Sequence, residues 1–178
     1  MGGMEDFVDV VIEDDRWVAV GLQDLAQRAA LATFAELGLP EAGFTLCVMG
    51  CDDARITALN ADFRGKPNPT NVLSWPAEER GANIAGEMPD LPQAGDVDDP
   101  DHLGDIAIAF DTCHAEAQAG NKPLKHHITH LIIHGVLHIF GFDHIRDTDG
   151  DLMEAVEARV MARLGLPNPY DTPEYLGP

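Results

Sequence analysis

Three histidines in one short stretch, HGVLHIFGFDH, constrain this chain more than any other feature: His134, His138 and His144. On a helix, His134 and His138 lie one turn apart on the same face, so their imidazoles can share one metal ion. Gly141 is placed to end that helix in a left-handed conformation and to turn the chain back, which brings His144 in as a third ligand. Three histidines leave one position of a tetrahedral zinc ion open, as in catalytic zinc sites. The stretch therefore predicts a helix and turn that hold one Zn²⁺.

The same spacing occurs in the metzincin proteases, H-E-x-x-H-x-x-G-x-x-H, with one difference. The general-base glutamate of those enzymes is replaced here by Gly135. A glycine inside a helix costs about 1 kcal/mol relative to alanine, so we expect Gly135 to make room beside the metal. A metal-dependent hydrolase acting on a peptide or amide is the first alternative function, and the missing glutamate argues against it.

Other histidines compete for the ligand role: His102, His114, His126, His127 and His130. His130 lies one turn before His134, so that pair also has suitable spacing. We favour His134, His138 and His144 because Gly141 can reverse the chain between the second and third ligands. Asp143 is expected to orient a ligand imidazole, and a simple role in the turn is the alternative.

Length and composition indicate a single domain covering residues 1–178, with 45% apolar residues. The acidic N-terminus lacks the features of a signal peptide, and no apolar run reaches membrane-spanning length. Three cysteines, an odd and sparse set, fit reduced thiols. We therefore expect a cytoplasmic protein that does not associate with membranes.

The net charge of −20 argues against broad, charge-driven binding of nucleic acid, and we expect no DNA partner. It does not exclude RNA at a locally basic cleft. It also permits a basic protein partner.

Hydrophobic periodicity and turn residues predict an α+β fold with one mixed sheet of about four strands and about five helices, including a central metal-binding helix. The predicted strands are 5–12, 43–49, 72–75 and 103–110, and the predicted helices are 17–37, 53–63, 113–119, 123–140 and 149–164. Asp14 or Asp15, Asp52, Thr112 and Asp149 are expected at helix starts. Residues 77–102 carry eight acidic residues and one basic residue and predict a flexible acidic insertion, and residues 166–178 predict an extended tail.

Three segments together resemble the YbeY family of bacterial rRNA maturation endoribonucleases. HGVLHIFGFDH is similar to its H-G-x-L-H-x-x-G-[YF]-D-H signature. LNADFRGKPNPTNVLSWP (59–76) and LGDIAIAF (103–110) are similar to two further family segments. The resemblance extends from about residue 40 to residue 165. Asn71 and Trp75 stand where the family often has Asp and Phe, and 77–102 resembles an insertion.

The resemblance implies a zinc-dependent, single-strand-specific endoribonuclease that acts in 3′-end maturation of small-subunit (16S) rRNA and in ribosome quality control. It assigns the zinc to His134, His138 and His144, and it places Arg64 on a functionally required arginine in a loop facing the metal. Arg64 is then the catalytic and phosphate-binding residue, with Lys66 beside it on a basic rim. From the residues alone, Arg64 pairing with surface carboxylates is the alternative.

The implied partners are ribosomal RNA and the small ribosomal subunit or a basic ribosomal protein. The residues leave open whether water activated by zinc or the RNA 2′-OH is the nucleophile. A non-catalytic assembly factor that uses zinc as a structural clip is the second alternative function.

Overall fold

Four strands form one mixed sheet in the computed structural model, which describes residues 8–82 and 84–170. The strands are β1 (Val8–Ile12), β2 (Phe44–Cys51), β3 (Val72–Pro76) and β4 (Asp101–Ala109), in the spatial order β1-β2-β4-β3. β1, β2 and β4 run parallel, and β3 pairs antiparallel with β4 at the edge. Proline cannot donate to a sheet ladder, and the strand that ends at Pro76 is accordingly an edge strand. Residues 5–7 of the first predicted strand lie outside the described residues.

Six helices are formed by the described residues, one more than expected: α1 (Arg16–Val20), α2 (Leu22–Leu37), α3 (Asp53–Arg64), α4 (Phe110–Ala119), α5 (Leu124–Ile139) and α6 (Asp147–Arg163). The α+β fold with one mixed sheet is confirmed. The additional helix arises because Gly21, with φ of +82°, divides the helix predicted at 17–37. The apolar spacing continues across Gly21, so periodicity alone does not reveal the break.

The two faces of the sheet are covered by different helices. On one face, α2, α5 and α6 build the main core, in which Phe34, Ile132 and Val156 pack with Leu46 and Ile106 of the sheet. On the other face, α3 buries a smaller cluster that includes Ile56, Leu73 and Ala107. Neighbouring residues of β4 therefore point toward α5 and toward α3 in turn.

Two helix starts differ from the prediction. α4 begins at Phe110 rather than after Thr112, because the Asp53 carboxylate accepts hydrogen bonds from the backbone N and Oγ1 of Thr112 at 3.0 and 2.8 Å. A carboxylate distant in sequence thus binds a free N–H of the first turn. α6 begins at Asp147, and Asp149 lies inside its first turn.

The acidic segment 77–102 contacts the folded core at both of its ends. Asp149 Oδ1 accepts a 2.8 Å hydrogen bond from Gly86 N, and Arg146 donates to the Ala82 carbonyl at 2.9 Å. At the other end, Gly43 O accepts hydrogen bonds from Gly95 and Asp101, both at 2.9 Å. β4 begins at Asp101, so the last two residues of the predicted insertion belong to the sheet. Flexibility between these contacts stays a prediction.

Within the described ranges, none of the helices combines the length and hydrophobicity that crossing a bilayer requires. Cys47, Cys51 and Cys113 are all free thiols. Burial raises the pKa of Cys51 to about 12, so its thiol stays protonated near neutral pH.

Candidate metal centre

Gly141 ends α5 and returns the chain toward the histidines. Its φ is +101°, Gly141 N donates to His138 O at 3.0 Å, and Phe142 N donates to Leu137 O at 3.0 Å. This pair of hydrogen bonds is the Schellman arrangement, which favours glycine at the left-handed position. A Cβ at residue 141 would also lie 2.6 Å from the carbonyl carbon and oxygen of Arg80. The predicted chain reversal is present. Glycine is required at residue 141 for two reasons, the left-handed backbone conformation and the close approach of the Arg80 backbone.

His134, His138 and His144 converge at this turn. One ligand nitrogen from each lies within 4.8 Å of the others. The Nε2 atoms of His134 and His138 are 3.0 Å apart, and the ring centroids of His144 lie 5.6 and 5.2 Å from those of His134 and His138. The structure thus brings together the three histidines that the spacing selects.

The Nδ1 atoms of two histidines face hydrogen-bond acceptors. His134 Nδ1 lies 2.6 Å from Glu157 Oε2, and His138 Nδ1 lies 3.0 Å from the Phe142 carbonyl oxygen. Both acceptors require a proton on Nδ1, so each neutral ring directs an Nε2 lone pair at the other. Two lone pairs at 3.0 Å repel unless a cation or a proton lies between them. The donor set therefore fits a metal ion held by imidazole nitrogens.

The environment of His138 favours the neutral form that a metal needs. Burial, with added effects of the His134 and His144 rings, lowers the pKa of His138 to about 4. His134 and His138 are half-buried, whereas His144 is exposed. One side of the cluster is thus open to solvent, as a site for a large substrate requires.

Glu157 on α6 is the functional residue that the sequence interpretation missed. Its side chain is completely buried, at 0% exposure, and it accepts hydrogen bonds from His134 and from the Tyr170 hydroxyl. Burial acts to raise the pKa of Glu157, but His130, His134 and Tyr170 outweigh it and lower the pKa to about 2. An acid between Val156 and Val160, on the apolar face of the predicted helix, is the signal that could have found it.

Gly135 does not have the predicted role beside the metal. A Cβ at this position would meet Ile106 of β4, with the nearest atom at 3.1 Å. The glycine therefore allows α5 to approach the sheet. The position that carries glutamate in the proteases points here toward the core rather than toward the histidines.

Asp143 makes a contact within the turn, where its Oδ1 accepts a 2.8 Å hydrogen bond from Ile145 N. The Nδ1 atoms of His134 and His138 are held by Glu157 and Phe142 instead. Orientation of His144 by Asp143 stays a prediction.

Arg64 and Lys66 are exposed at the connection from α3 to β3, and Arg64 is the last residue of α3. Within residues 8–82 and 84–170, no hydrogen bond or ion pair joins either side chain to a carboxylate, so the alternative of a surface ion pair for Arg64 receives no support. α3 and α5 cover opposite faces of the sheet. The structure therefore does not bring Arg64 into contact with the three histidines.

The remaining histidines have other neighbours. His127 Nε2 lies 2.9 Å from Glu116, His102 lies between Thr45 and Asp105, and the ring of His114 stacks on Phe110. His130 lies behind the cluster, with its Nε2 3.6 Å from Glu157 Oε2 and 3.3 Å from the Tyr170 hydroxyl. His130 thus helps to lower the pKa of Glu157.

Similarity to known proteins identifies the family of this chain. The family model described as Endoribonuclease YbeY matches residues 12–165. A protein of Cereibacter sphaeroides named Endoribonuclease YbeY is 58% identical over 167 residues, which cover 94% of this chain and 100% of that protein. A protein of the same name from Jannaschia sp. is 52% identical over 163 residues, which cover 92% of this chain and 99% of that protein.

A solved structure supports the fold. The solution structure of TM1509 from Thermotoga maritima has a TM-score of 0.52 at 18% identity and covers 93% of this chain and 99% of that one. At this identity the similarity concerns the fold alone. The family model and the two relatives match nearly the whole chain, and they include the histidine turn, α3 and β4. The chain belongs to the YbeY endoribonuclease family.

Proposed function

We propose that this protein is a zinc-dependent endoribonuclease that cleaves single-stranded RNA and acts in 3′-end maturation of small-subunit (16S) rRNA and in ribosome quality control. The observation that carries the metal-dependent chemistry is the convergence of three imidazoles, two of which have Nδ1 held by an acceptor. The relatives named as endoribonucleases supply the substrate class. The role in rRNA maturation follows the family resemblance of the sequence motifs.

The residues of the chain divide the reaction between them. His134, His138 and His144 would hold the zinc ion, which would supply Lewis-acid stabilisation of the charge that develops on a phosphodiester. Glu157 and the Phe142 carbonyl keep two of the imidazoles in the tautomer and orientation for binding. Because His144 is exposed, an RNA strand can approach the cluster from the side on which His144 lies.

Arg64 and Lys66 bind the RNA backbone in this proposal. A guanidinium can hold a phosphate with two parallel hydrogen bonds, and no ion pair within the described residues competes for it. The end of β3 connects this region with the histidine turn, since Trp75 contacts α3 and Arg80 lies against Gly141. An RNA strand that passes around this edge of the sheet contacts both regions.

Metal analysis followed by an RNA cleavage assay tests the proposal. We expect about one zinc per chain in the wild type, loss of metal and of cleavage in His138→Ala, and retained metal with strongly reduced cleavage in Arg64→Ala. His114→Ala and Arg28→Ala remove an exposed histidine and an exposed arginine elsewhere and serve as matched controls. Cleavage at the wild-type rate by both His138→Ala and Arg64→Ala would refute these assignments.

The same measurements separate the two other functions. A hydrolase of peptides or amides would cleave such a substrate and leave RNA intact. A non-catalytic assembly factor would bind zinc through a closed fourth ligand, and the His138→Ala variant would lose stability without any change in RNA cleavage.

We also propose a cytoplasmic site of action on ribosomal particles. With a net charge of −20, the chain attracts free RNA poorly over long distances, so the RNA is presented by the small subunit or by a basic ribosomal protein. We expect faster cleavage of rRNA in assembled subunits than of the same rRNA free of protein. Equal rates would remove the need for a presenting partner.

A further inference from the structure

We propose that Phe63 and Trp75 form a stacking surface for an unpaired base of single-stranded RNA. This inference rests on the proposed endoribonuclease function. It identifies a second region of the protein, distant from the histidines, that binds the RNA substrate. The two side chains lie on α3 and β3, on the sheet face opposite the three histidines.

Phe63 is largely exposed, and Trp75 beside it is partly exposed. The ring centroids of Phe63 and Trp75 are 4.9 Å apart with a tilt of 57°, and Phe63 is 62% exposed. Both rings line an open groove of about 490 Å³ that also includes Val11, Met49 and Leu59. Phe63 packs on Trp75 and leaves most of its own surface free, so its ring can accept another flat ring.

The charges beside the pair favour a nucleic acid as the occupant. Arg64 directly follows Phe63 in sequence and Lys66 comes two residues later, and both are exposed without a carboxylate partner in residues 8–82 and 84–170. Arg55 on the groove pairs with Glu13 at 3.2 Å, and Asp105, a carboxylate on the groove, lies 3.2 Å from the imidazole of His102. Free cations next to an aromatic face are the combination with which proteins bind single-stranded nucleic acid.

The path of the chain links this surface to the histidines. Trp75 pairs with Asp105 near the end of β3, and a Cβ built on Gly104 would lie 2.4 Å from Trp75 O and 3.1 Å from Ile139 of α5. Four residues separate Trp75 from Arg80, whose backbone lies against Gly141. The stacking surface and the histidine turn thus lie at the same end of the edge strand, so one RNA strand can reach both.

Tryptophan fluorescence offers a direct measurement. The chain has two tryptophans, and Trp17 is completely buried with its Nε1 donating to Cys51 O. A base that stacks on the pair therefore quenches Trp75. We expect a single-stranded oligoribonucleotide to quench the emission of the zinc-loaded protein, and we expect Trp75→Phe to lose the quench while it keeps most of the affinity.

Variants at Phe63 test the stacking energy. Phe63→Leu keeps an apolar side chain of similar size and removes the aromatic face, so the dissociation constant of the oligonucleotide, measured by anisotropy, should rise about ten-fold. An abasic strand of equal length should bind the wild type about ten-fold more weakly and should not distinguish Phe63→Leu from wild type. Val18→Ala, which truncates a side chain that is 63% exposed on another helix, is the control.

Unchanged RNA affinity in Phe63→Leu would overturn the proposal, and so would equal affinity of the wild type for abasic and base-bearing strands. If Phe63→Leu weakens binding of a ribosomal protein and leaves RNA affinity unchanged, the groove serves a protein and the proposal fails. Binding is measured separately from cleavage. A wild type that stacks bases without cleaving RNA would refute the nuclease function and support this inference.

Discussion

At the scale of single residues, Glu157 sets the tautomer of His134 and the strength of that residue as a metal ligand. Its carboxylate accepts from His134 Nδ1 at 2.6 Å and from the Tyr170 hydroxyl, and its pKa is lowered to about 2. The group is therefore an anion at every pH at which the protein works. An anion behind an imidazole makes the opposite nitrogen a better metal ligand.

Replacing Glu157 by glutamine should weaken zinc binding about 10- to 100-fold, because the amide keeps the shape and loses the charge. Competition with a chromophoric chelator measures this directly and does not depend on activity. Glu154→Gln changes an exposed acid one turn earlier on α6 and should bind zinc like the wild type. Equal zinc affinity in both variants would contradict the role of Glu157.

Acid should destabilise the metal-free protein through His138. The pKa of this residue is lowered from 6.5 to about 4 in the folded chain, chiefly by burial. Between these values the unfolded chain binds a proton that the folded chain does not, so the contribution to stability is complete above pH 6.5 and falls as the pH approaches 4. Urea unfolding across this range in the presence of a chelator should show the decrease. In His138→Asn the pH dependence should be weaker, and an unchanged dependence would assign it to other groups.

At the scale of secondary structure, the end of α5 and the segment after β3 depend on each other. Gly141 has φ of +101°, and a Cβ there would overlap the Arg80 carbonyl at 2.6 Å. Any side chain at residue 141 therefore strains the helix end and displaces the segment packed on it. The position of His144 depends on both contacts.

Gly141→Ala should lower the free energy of unfolding by more than about 2 kcal/mol, since a left-handed residue with a side chain alone costs 1–2 kcal/mol. It should also weaken zinc binding through His144. Gly38→Ala is the matched control, because Gly38 ends α2 at φ of +73° with no atom within 4 Å of the added Cβ. We expect Gly38→Ala to lose about 1 kcal/mol and to keep its zinc affinity. Equal losses in the two variants would show that the Arg80 contact is unimportant.

The sequence predicts those parts of the histidine centre whose residues lie close together in the chain. His134, His138 and Gly141 lie within two helical turns, and their spacing alone fixes their relative positions. Glu157 and Tyr170 come from later segments that reach the site only through packing of α6 on α5, which periodicity does not specify. The role of Gly135 was predicted wrongly for the same reason, since its neighbour Ile106 lies on β4.

At the scale of the whole molecule, the charge distribution sets how RNA is bound. The chain carries −20 overall, yet within the described residues Arg64 and Lys66, which follow Phe63 closely in sequence, have no carboxylate partner. Few phosphates can be neutralised at once on such a surface. Affinity for RNA should then come from stacking and from the metal centre more than from long-range attraction.

The salt dependence of RNA binding measures the number of phosphates involved. Two cations predict a slope near −1.4 for the logarithm of the association constant against the logarithm of salt concentration, at about −0.7 per phosphate on a single strand. Lys66→Gln should make the slope shallower by about 0.7, and Lys122→Gln, at an exposed position elsewhere, should leave it unchanged. A steep wild-type slope would indicate a broader cationic surface than Arg64 and Lys66 provide.

The two attachment points of the acidic segment also determine where a label can be added. Gly86 is bound to Asp149 and Gly95 to Gly43, while Val97 in the turn that follows is 79% exposed. A cysteine at residue 97 can carry a fluorophore without touching the histidines, whereas a group attached between residues 80 and 86 would disturb the turn that ends at His144. Position 97 is therefore the natural anchor for following this protein on ribosomal particles by energy transfer.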